Sequence, residues 1–122
     1  MTEHITFVGT YAIPEDRLDE WKAVVVDMVD TVKANVPRLV SYNVYVNDDG
    51  SEATNIYVHP DTESLEQHLQ VAATRIGAGA QTVETIRVEL YGSPSDRVVE
   101  QIRRISEESN AFPVVVKSHY YG

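Results

Sequence analysis

Two alternating segments, "LVSYNVYVN" (Leu39–Asn47) and "ATNIYVH" (Ala53–His59), flank the turn-forming run "NDDGS" (Asn47–Ser51). Period-two alternation on both sides of a glycine-containing turn predicts an antiparallel hairpin. Nothing else in the chain restricts the fold as much. The hairpin occupies the middle of the sequence, and every other element must pack on one of its faces. A three-residue loop at Asp48–Gly50 sets Tyr45 opposite Ala53, Asn43 opposite Asn55 and Ser41 opposite Tyr57. In that register one face reads Val40, Tyr42, Val44, Val46, Thr54, Ile56 and Val58. The other reads Ser41, Asn43, Tyr45, Asn55, Tyr57 and His59. A slip of one residue exchanges partners between the faces. The apolar face is expected to meet the helices.

Around the hairpin the period changes in a regular order. "HITFVGTYA" (His4–Ala12) is short, β-branched and aromatic, hence a strand. Pro14 opens a helix, because its fixed φ suits the first turn. Leu18, Trp21, Val25, Met28, Val32 and Val36 then recur at spacings of three and four, forming one apolar stripe that Pro37 stops. After the hairpin, Pro60 ends the strand and Asp61 or Thr62 caps a second helix with Leu65, Leu69, Ala72, Ala73 and Ile76 inward. "GAGAQ" (Gly77–Gln81) is a glycine-rich exit. It follows a helix and precedes a strand, the reverse of a phosphate-binding loop. "TVETIRVELYG" (Thr82–Gly92) is a fourth strand. "SPSD" (Ser93–Asp96) caps a third helix that buries Val98, Ile102 and Ile105, and "VVVKSHYY" (Val114–Tyr121) is a last strand. The order β-α-β-β-α-β, then α-β, predicts an α+β protein of ferredoxin-like plan: an antiparallel sheet with helices on one face plus a C-terminal α-β extension. Residues 1–122 read as a single domain, with 93–122 as the extension.

The second face of the hairpin is unusual for a solvated one. It carries amides, phenols and an imidazole where Lys, Glu and Thr are common. Uncharged groups of this kind suit an enclosed surface that still forms hydrogen bonds. A second copy of the chain is the expected cover, giving a homodimer.

The charge balance narrows the partners. A formal net charge of −9 argues against nucleic acid and against an anionic membrane surface. No apolar run approaches the roughly 20 residues needed to span a bilayer. The opening "MTEHITFVGTY" has neither the basic start nor the apolar centre of a signal peptide, so a cytoplasmic protein is expected. The chain has no cysteine, which removes disulfides, thiol catalysis and thiolate metal sites. His4, His59 and His119 fall on separate strands, and no His-x-x-x-His or Glu-x-x-His pair occurs, so no metal is expected.

The order of elements, the length and "YVHPDTESLEQHL" (Tyr57–Leu69) together resemble the dimeric α/β-barrel superfamily, with the antibiotic-biosynthesis-monooxygenase type as the nearest group. The likeness covers residues 4–92. It implies that two ferredoxin-like sheets, one from each copy, pack face to face as a barrel. His68 falls on the histidine of the group's motif. Tyr57 and His59 stand where a glutamate and a tryptophan are usual. Asn55 falls on a strand position where some members carry a polar, pocket-facing residue.

The resemblance implies a cofactor-independent monooxygenase acting on a small phenolic or quinol-type aromatic. Such chemistry needs a base, donors for an oxyanion and a dry cavity. His59, His68 and Tyr57 are the candidate catalytic residues. Asn43, Asn55, Tyr45, Tyr11 and Tyr91 are the candidate substrate-binding residues. No flavin or dinucleotide fingerprint is present, and no cofactor is expected. Two other readings stand beside this one. One is a non-catalytic small-molecule-binding or structural dimer, in which His68 is a packed core histidine and the polar face is interface. The other is a polyketide cyclase or isomerase.

Overall fold

A computed structural model describes residues 4–73 and 83–122. Ile76, the Gly77–Gln81 exit and Thr82 lie outside the described residues. The elements follow the expected order. They are β1 (Ile5–Ala12), a short 3-10 turn (Glu15–Arg17), α1 (Leu18–Asn35), β2 (Ser41–Val46) and β3 (Glu52–His59). Then come α2 (Thr62–Ala73), β4 (Glu84–Tyr91), α3 (Asp96–Glu107) and β5 (Val114–Lys117). The strands form one sheet in the order β2-β3-β1-β4-β5. All pairings are antiparallel except β4 with β5, which run parallel. This is the ferredoxin-like arrangement with one strand added at the β4 edge.

The three described helices cover one face of the sheet. Val32 of α1 and Val36 just after it, Leu65 of α2, and Val98 and Ile102 of α3 pack with Ile5, Phe7, Tyr42, Tyr57, Val88 and Leu90 from the strands. Trp21 joins a smaller cluster with Ile13 and Ala53. Ser95 caps α3 by accepting from the Val98 amide at 3.2 Å. Pro94, expected at the first helical position of a box opened by Ser93, instead precedes the cap, and the helix starts at Asp96. Ile105, expected to be buried, is 37% exposed, because α3 ends within a turn and the chain turns back toward β5.

The hairpin register differs from the expected one by a residue. Tyr42 pairs with Tyr57, Val44 with Asn55 and Val46 with Ala53. The reason is in the turn. The Asn47 amide donates to the Glu52 carbonyl at 3.0 Å, and Gly50 takes φ +74°. Asn47 Oδ1 accepts from the Glu52 amide at 3.0 Å, and Asp49 Oδ1 accepts from the Ser51 amide at 3.0 Å. This side-chain web adds Ser51 to the loop, making four residues where three were expected, and a loop of one more residue shifts every cross-strand pair.

The shift inverts the face assignment for β3. Asn55, Tyr57 and His59 point toward the helices together with Tyr42 and Val44. Thr54, Ile56 and Val58 lie on the outer face with Ser41, Asn43 and Tyr45. The polar, ring-bearing side of β3 is therefore covered by the chain's own helices. The expectation that it faces a second copy is corrected. β5 is also shorter than expected and ends at Lys117. Its partner β4 stops at Tyr91, and Gly92 (φ +117°) turns the chain away, leaving Ser118–Gly122 no strand to pair with.

Candidate functional site

β1 and β3 run side by side, with Gly9 opposite Asn55 and Tyr11 opposite Ala53. Side chains two apart on a strand share a face, so Phe7, Gly9 and Tyr11 all point toward the helices. Gly9 has no side chain, and the Tyr11 ring lies back across it. A Cβ built on Gly9 would sit 2.3 Å from the Tyr11 hydroxyl. Burial, the larger effect, pushes the phenol up to about 12, while the Asn55 side chain acts on that hydroxyl to lower it. The Tyr11–Asn55 pair thus presents neutral hydrogen-bonding groups on an otherwise apolar wall.

This pair lines a cavity of about 720 Å³ between the sheet and the helices. Phe7, Trp21, Met28, Tyr42, Ile102 and Phe112 supply most of its aromatic and aliphatic surface, with Leu69 from α2. A β-bulge where β1 meets β4 brings Thr85 opposite Tyr11 and onto the cavity. The rim is polar, formed by Glu84, Glu108, Ser109 and Asn110. Tyr42 is also a neutral phenol, pushed up by burial first and by the nearby Tyr11 second.

The histidines stand one layer behind that wall. His59 and His68 are fully buried, and His59 Nε2 lies 3.0 Å from His68 Nδ1. His59 Nδ1 lies 2.7 Å from Ser64 Oγ. His68 stacks on Tyr57 at 3.9 Å between centroids, and the other side of Tyr57 stacks on Phe7 at 4.3 Å. Phe7 and Tyr42 reach the cavity; Tyr57, His59 and His68 are absent from its lining. Burial holds both imidazoles in the neutral form. It lowers His59 to about 4, with Asp61 opposing, and lowers His68 to about 3, with His59 adding to the effect. Neutral imidazoles each carry one N–H, so Ser64–His59–His68 forms a hydrogen-bonded chain with two possible proton orders.

The remaining candidates lie elsewhere. Asn43 and Tyr45 are exposed on the outer face of β2, with Asn43 opposite Ile56. Tyr91 is on the outer face of β4, where its hydroxyl donates to Glu89 at 2.8 Å and Lys117 lies over its ring. The structure therefore gathers Tyr11 and Asn55 at the cavity and Tyr57, His59 and His68 behind it, and it separates Asn43, Tyr45 and Tyr91 from both groups. Sequence reasoning missed Tyr42, assigned to the apolar face, and Ser64, the partner of His59. It also left out the rim residues after α3. Trp21 was read as core; it is buried and also forms cavity wall.

No family model and no curated protein matches the sequence. Solved structures do. The crystal structure of MupZ from Pseudomonas fluorescens superposes with a TM-score of 0.76 at 17% identity, covering 98% of this chain and 93% of that one. SnoaB, a cofactor-independent oxygenase from Streptomyces nogalater, superposes with a TM-score of 0.65 at 16% identity, covering 76% of this chain and 95% of its own. A Caulobacter crescentus protein named for the antibiotic biosynthesis monooxygenases gives a TM-score of 0.65 at 18% identity, covering 73% and 88%. The chain shares the fold of these proteins, among them one named for the antibiotic biosynthesis monooxygenases. At these identities the likeness establishes architecture, and the chemistry must be argued from the cavity.

Proposed function

We propose that the chain is a cofactor-independent monooxygenase acting on a small phenolic or quinol-type aromatic substrate held between its sheet and helices. The observation that carries this reading is that Tyr11 and Asn55 place a hydroxyl and an amide together on the wall of an apolar, aromatic-lined cavity. Flat rings fit between Phe7, Trp21 and Tyr42, and a substrate oxygen reaches the polar pair. The fold shared with SnoaB supports the same direction.

Triplet oxygen reacts with an electron-rich anion, so the protein must favour ionisation of the substrate. Donors aimed at the developing oxyanion in a dry site do this. Asn55 and Tyr11 are those donors. His59 and His68 lie behind Tyr57, away from the described cavity wall. The substrate must therefore be acidic enough to lose its proton to water at the mouth, as an anthrone-type ketone is. The anion gives one electron to oxygen, the resulting pair combines as a peroxide, and loss of water leaves a new carbonyl. A methylene and one O2 become a carbonyl and one water, with no outside reductant.

A non-catalytic binding protein is the second reading, favoured by the sealing of both histidines away from the cavity. Oxygen uptake with an anthrone separates the two. Uptake with quinone formation supports the monooxygenase. Binding without uptake supports the carrier, and product formed under strict anaerobiosis points to a cyclase or isomerase.

The proposal includes a homodimer. The outer face of the sheet carries Val8, Ile56 and Val58, only half-buried in the isolated chain, with the exposed Tyr45 and Val115 nearby. An apolar sheet face of this kind is stabilised when a second copy covers it, and two such sheets face to face form the barrel.

A further inference from the structure

Charge is distributed unevenly around the cavity. Among the described residues that line it, Glu84 and Glu108 are charged and no Lys, Arg or His is present. The two carboxylates approach the mouth from different elements. Glu84 begins β4, and its Oε1 accepts from Asn110 Nδ2 at 3.3 Å. The same amide nitrogen donates to the Thr85 carbonyl at 2.8 Å, tying the end of α3 to the start of β4. Glu108 is the residue that caps the carboxyl end of α3, and Ile105, Ser109 and Asn110 beside it also line the cavity. The partial negative charge of the helix end therefore adds to both carboxylates. The described arginines nearest in sequence are engaged elsewhere, Arg87 with Glu89 and Arg104 with Glu100.

We infer that the cavity selects its ligand by charge, accepting flat polycyclic aromatics that carry a basic amine at the end facing the mouth and rejecting carboxylated ones. The inference deepens the proposed function and rests on the cavity being the ligand site. The aromatic body enters the apolar part toward Tyr11 and Asn55. Its outer substituent then lies at the rim. An ammonium there meets Glu84, Glu108 and the end of α3. A carboxylate meets the same groups with no described cavity residue to neutralise it, which excludes it by repulsion rather than by shape.

Trp21 is the single tryptophan of the chain and forms part of the cavity wall, so its fluorescence reports binding directly. Three probes differing only in charge decide the matter: 2-(aminomethyl)anthraquinone, 2-(hydroxymethyl)anthraquinone and anthraquinone-2-carboxylate. At low salt the amine is expected to bind about tenfold more tightly than the acid, with the alcohol between them. The ratio should shrink toward one in roughly half-molar salt, where exposed charges are screened. It should shrink likewise in the Glu84→Gln/Glu108→Gln variant, in which glutamine keeps an oxygen for Asn110. If that variant fails to fold, the salt titration of the wild-type protein decides alone. An acid that binds as tightly as the amine at low salt overturns the inference, as does a ratio unmoved by both salt and variant, while the cavity reading stands. Failure of all three probes, alcohol included, to quench Trp21 overturns the cavity reading itself and this inference with it.

Discussion

His59 Nε2 and His68 Nδ1 face each other at 3.0 Å inside the core, so one ring donates the proton and the other must accept it. The two rings cannot both be protonated, since two imidazolium rings would each present an N–H to the other, and burial keeps both neutral. The pair occupies the strand-to-helix corner between β3 and α2. Ser64 completes it from the first turn of the helix. These contacts add to the one that Asp61 supplies, whose Oδ1 accepts from the Ser64 amide at 3.0 Å, in closing the corner.

Acid should weaken the fold through this pair. The folded values, about 4 for His59 and about 3 for His68, lie below the ordinary 6.5. Above the ordinary value both folded and unfolded chains are neutral there, and the full stability is present. As pH falls below it the unfolded chain takes protons first, so stability drops until the folded values are reached. Each histidine contributes a slope of at most about 1.4 kcal/mol per pH unit. Asp61 is the carboxylate acting on His59, and it is itself paired with Arg38. The rings packed around the pair, Tyr42 and Tyr57, stay uncharged because burial raises both. Urea unfolding at a series of pH values should show this decline beginning near the ordinary histidine value. His68→Phe, which keeps a ring on Tyr57, should lose about half of the slope. A variant with the wild-type slope would show that the pair does not resist protonation.

A second prediction concerns the exit from α3. Ala111 takes φ +53°, in the left-handed region, and its amide donates to the Ser106 carbonyl at 2.9 Å. A side chain in this region costs about 1–2 kcal/mol that glycine does not. Ala111→Gly should therefore raise the melting temperature, corresponding to a gain of about 1 kcal/mol once the greater freedom of glycine in the unfolded chain is set against it. An unchanged or lower melting temperature by calorimetry would contradict the assigned backbone.

The order of elements was legible because changes of period and the positions of Pro14, Pro37 and Pro60 mark it directly. Part of β4 was legible too: Val88 and Leu90 are buried and Arg87, Glu89 and Tyr91 face outward, as their alternation suggests, whereas Ile86, of the same parity as Val88, is exposed. The hairpin faces were not. Alternation shows that two sets of side chains exist without showing which set meets the helices. Composition then misleads, because Asn55, Tyr57 and His59 look like a set enclosed by a second copy and instead meet Tyr11, Phe7, Ser64 and His68 of the same chain. Those partners lie on β1 and α2, and no local pattern links them to β3. The loop length depended on Asn47, Asp49 and Ser51 bonding to one another, which turn composition alone does not specify. The cavity was illegible for a further reason: its wall draws on β1, α1, β2, β3, α2, β4 and α3, and only the folded arrangement brings them together.

The homodimer has its own test. Ile56 and Val58 are on the outer face of a central strand, opposite the helices. Sedimentation should give twice the mass expected for a single chain of 13.7 kDa. Ile56→Asp puts a carboxylate in the middle of that face, and burying it unpaired is costly enough to split the dimer. The variant should sediment as a monomer and keep its far-UV circular dichroism. A wild-type monomer at tens of micromolar concentration would remove the dimer from the proposal.

The Tyr11–Asn55 pair depends on Gly9, and this dependence gives the sharpest test of the site. A methyl group on Gly9 would fall 2.3 Å from the Tyr11 hydroxyl and 2.8 Å from the ring carbon that bears it. The obstacle is the far end of a side chain, so Tyr11 can swing aside without unfolding the sheet. Gly9→Ala should therefore cost little stability while moving the hydroxyl away from Asn55. Displacing one donor without removing it is expected to slow oxygen uptake about tenfold, less than outright loss of a donor. Asn55→Ala removes the amide itself, and loss of one oxyanion donor typically costs about 100- to 1000-fold in turnover. The double variant distinguishes shared from separate roles. If Tyr11 and Asn55 act as a unit, Gly9→Ala/Asn55→Ala should be about as slow as Asn55→Ala alone, because its donor arrangement is already broken. Multiplicative losses would show two independent contacts with the substrate. Full activity in Asn55→Ala would place the chemistry outside this cavity.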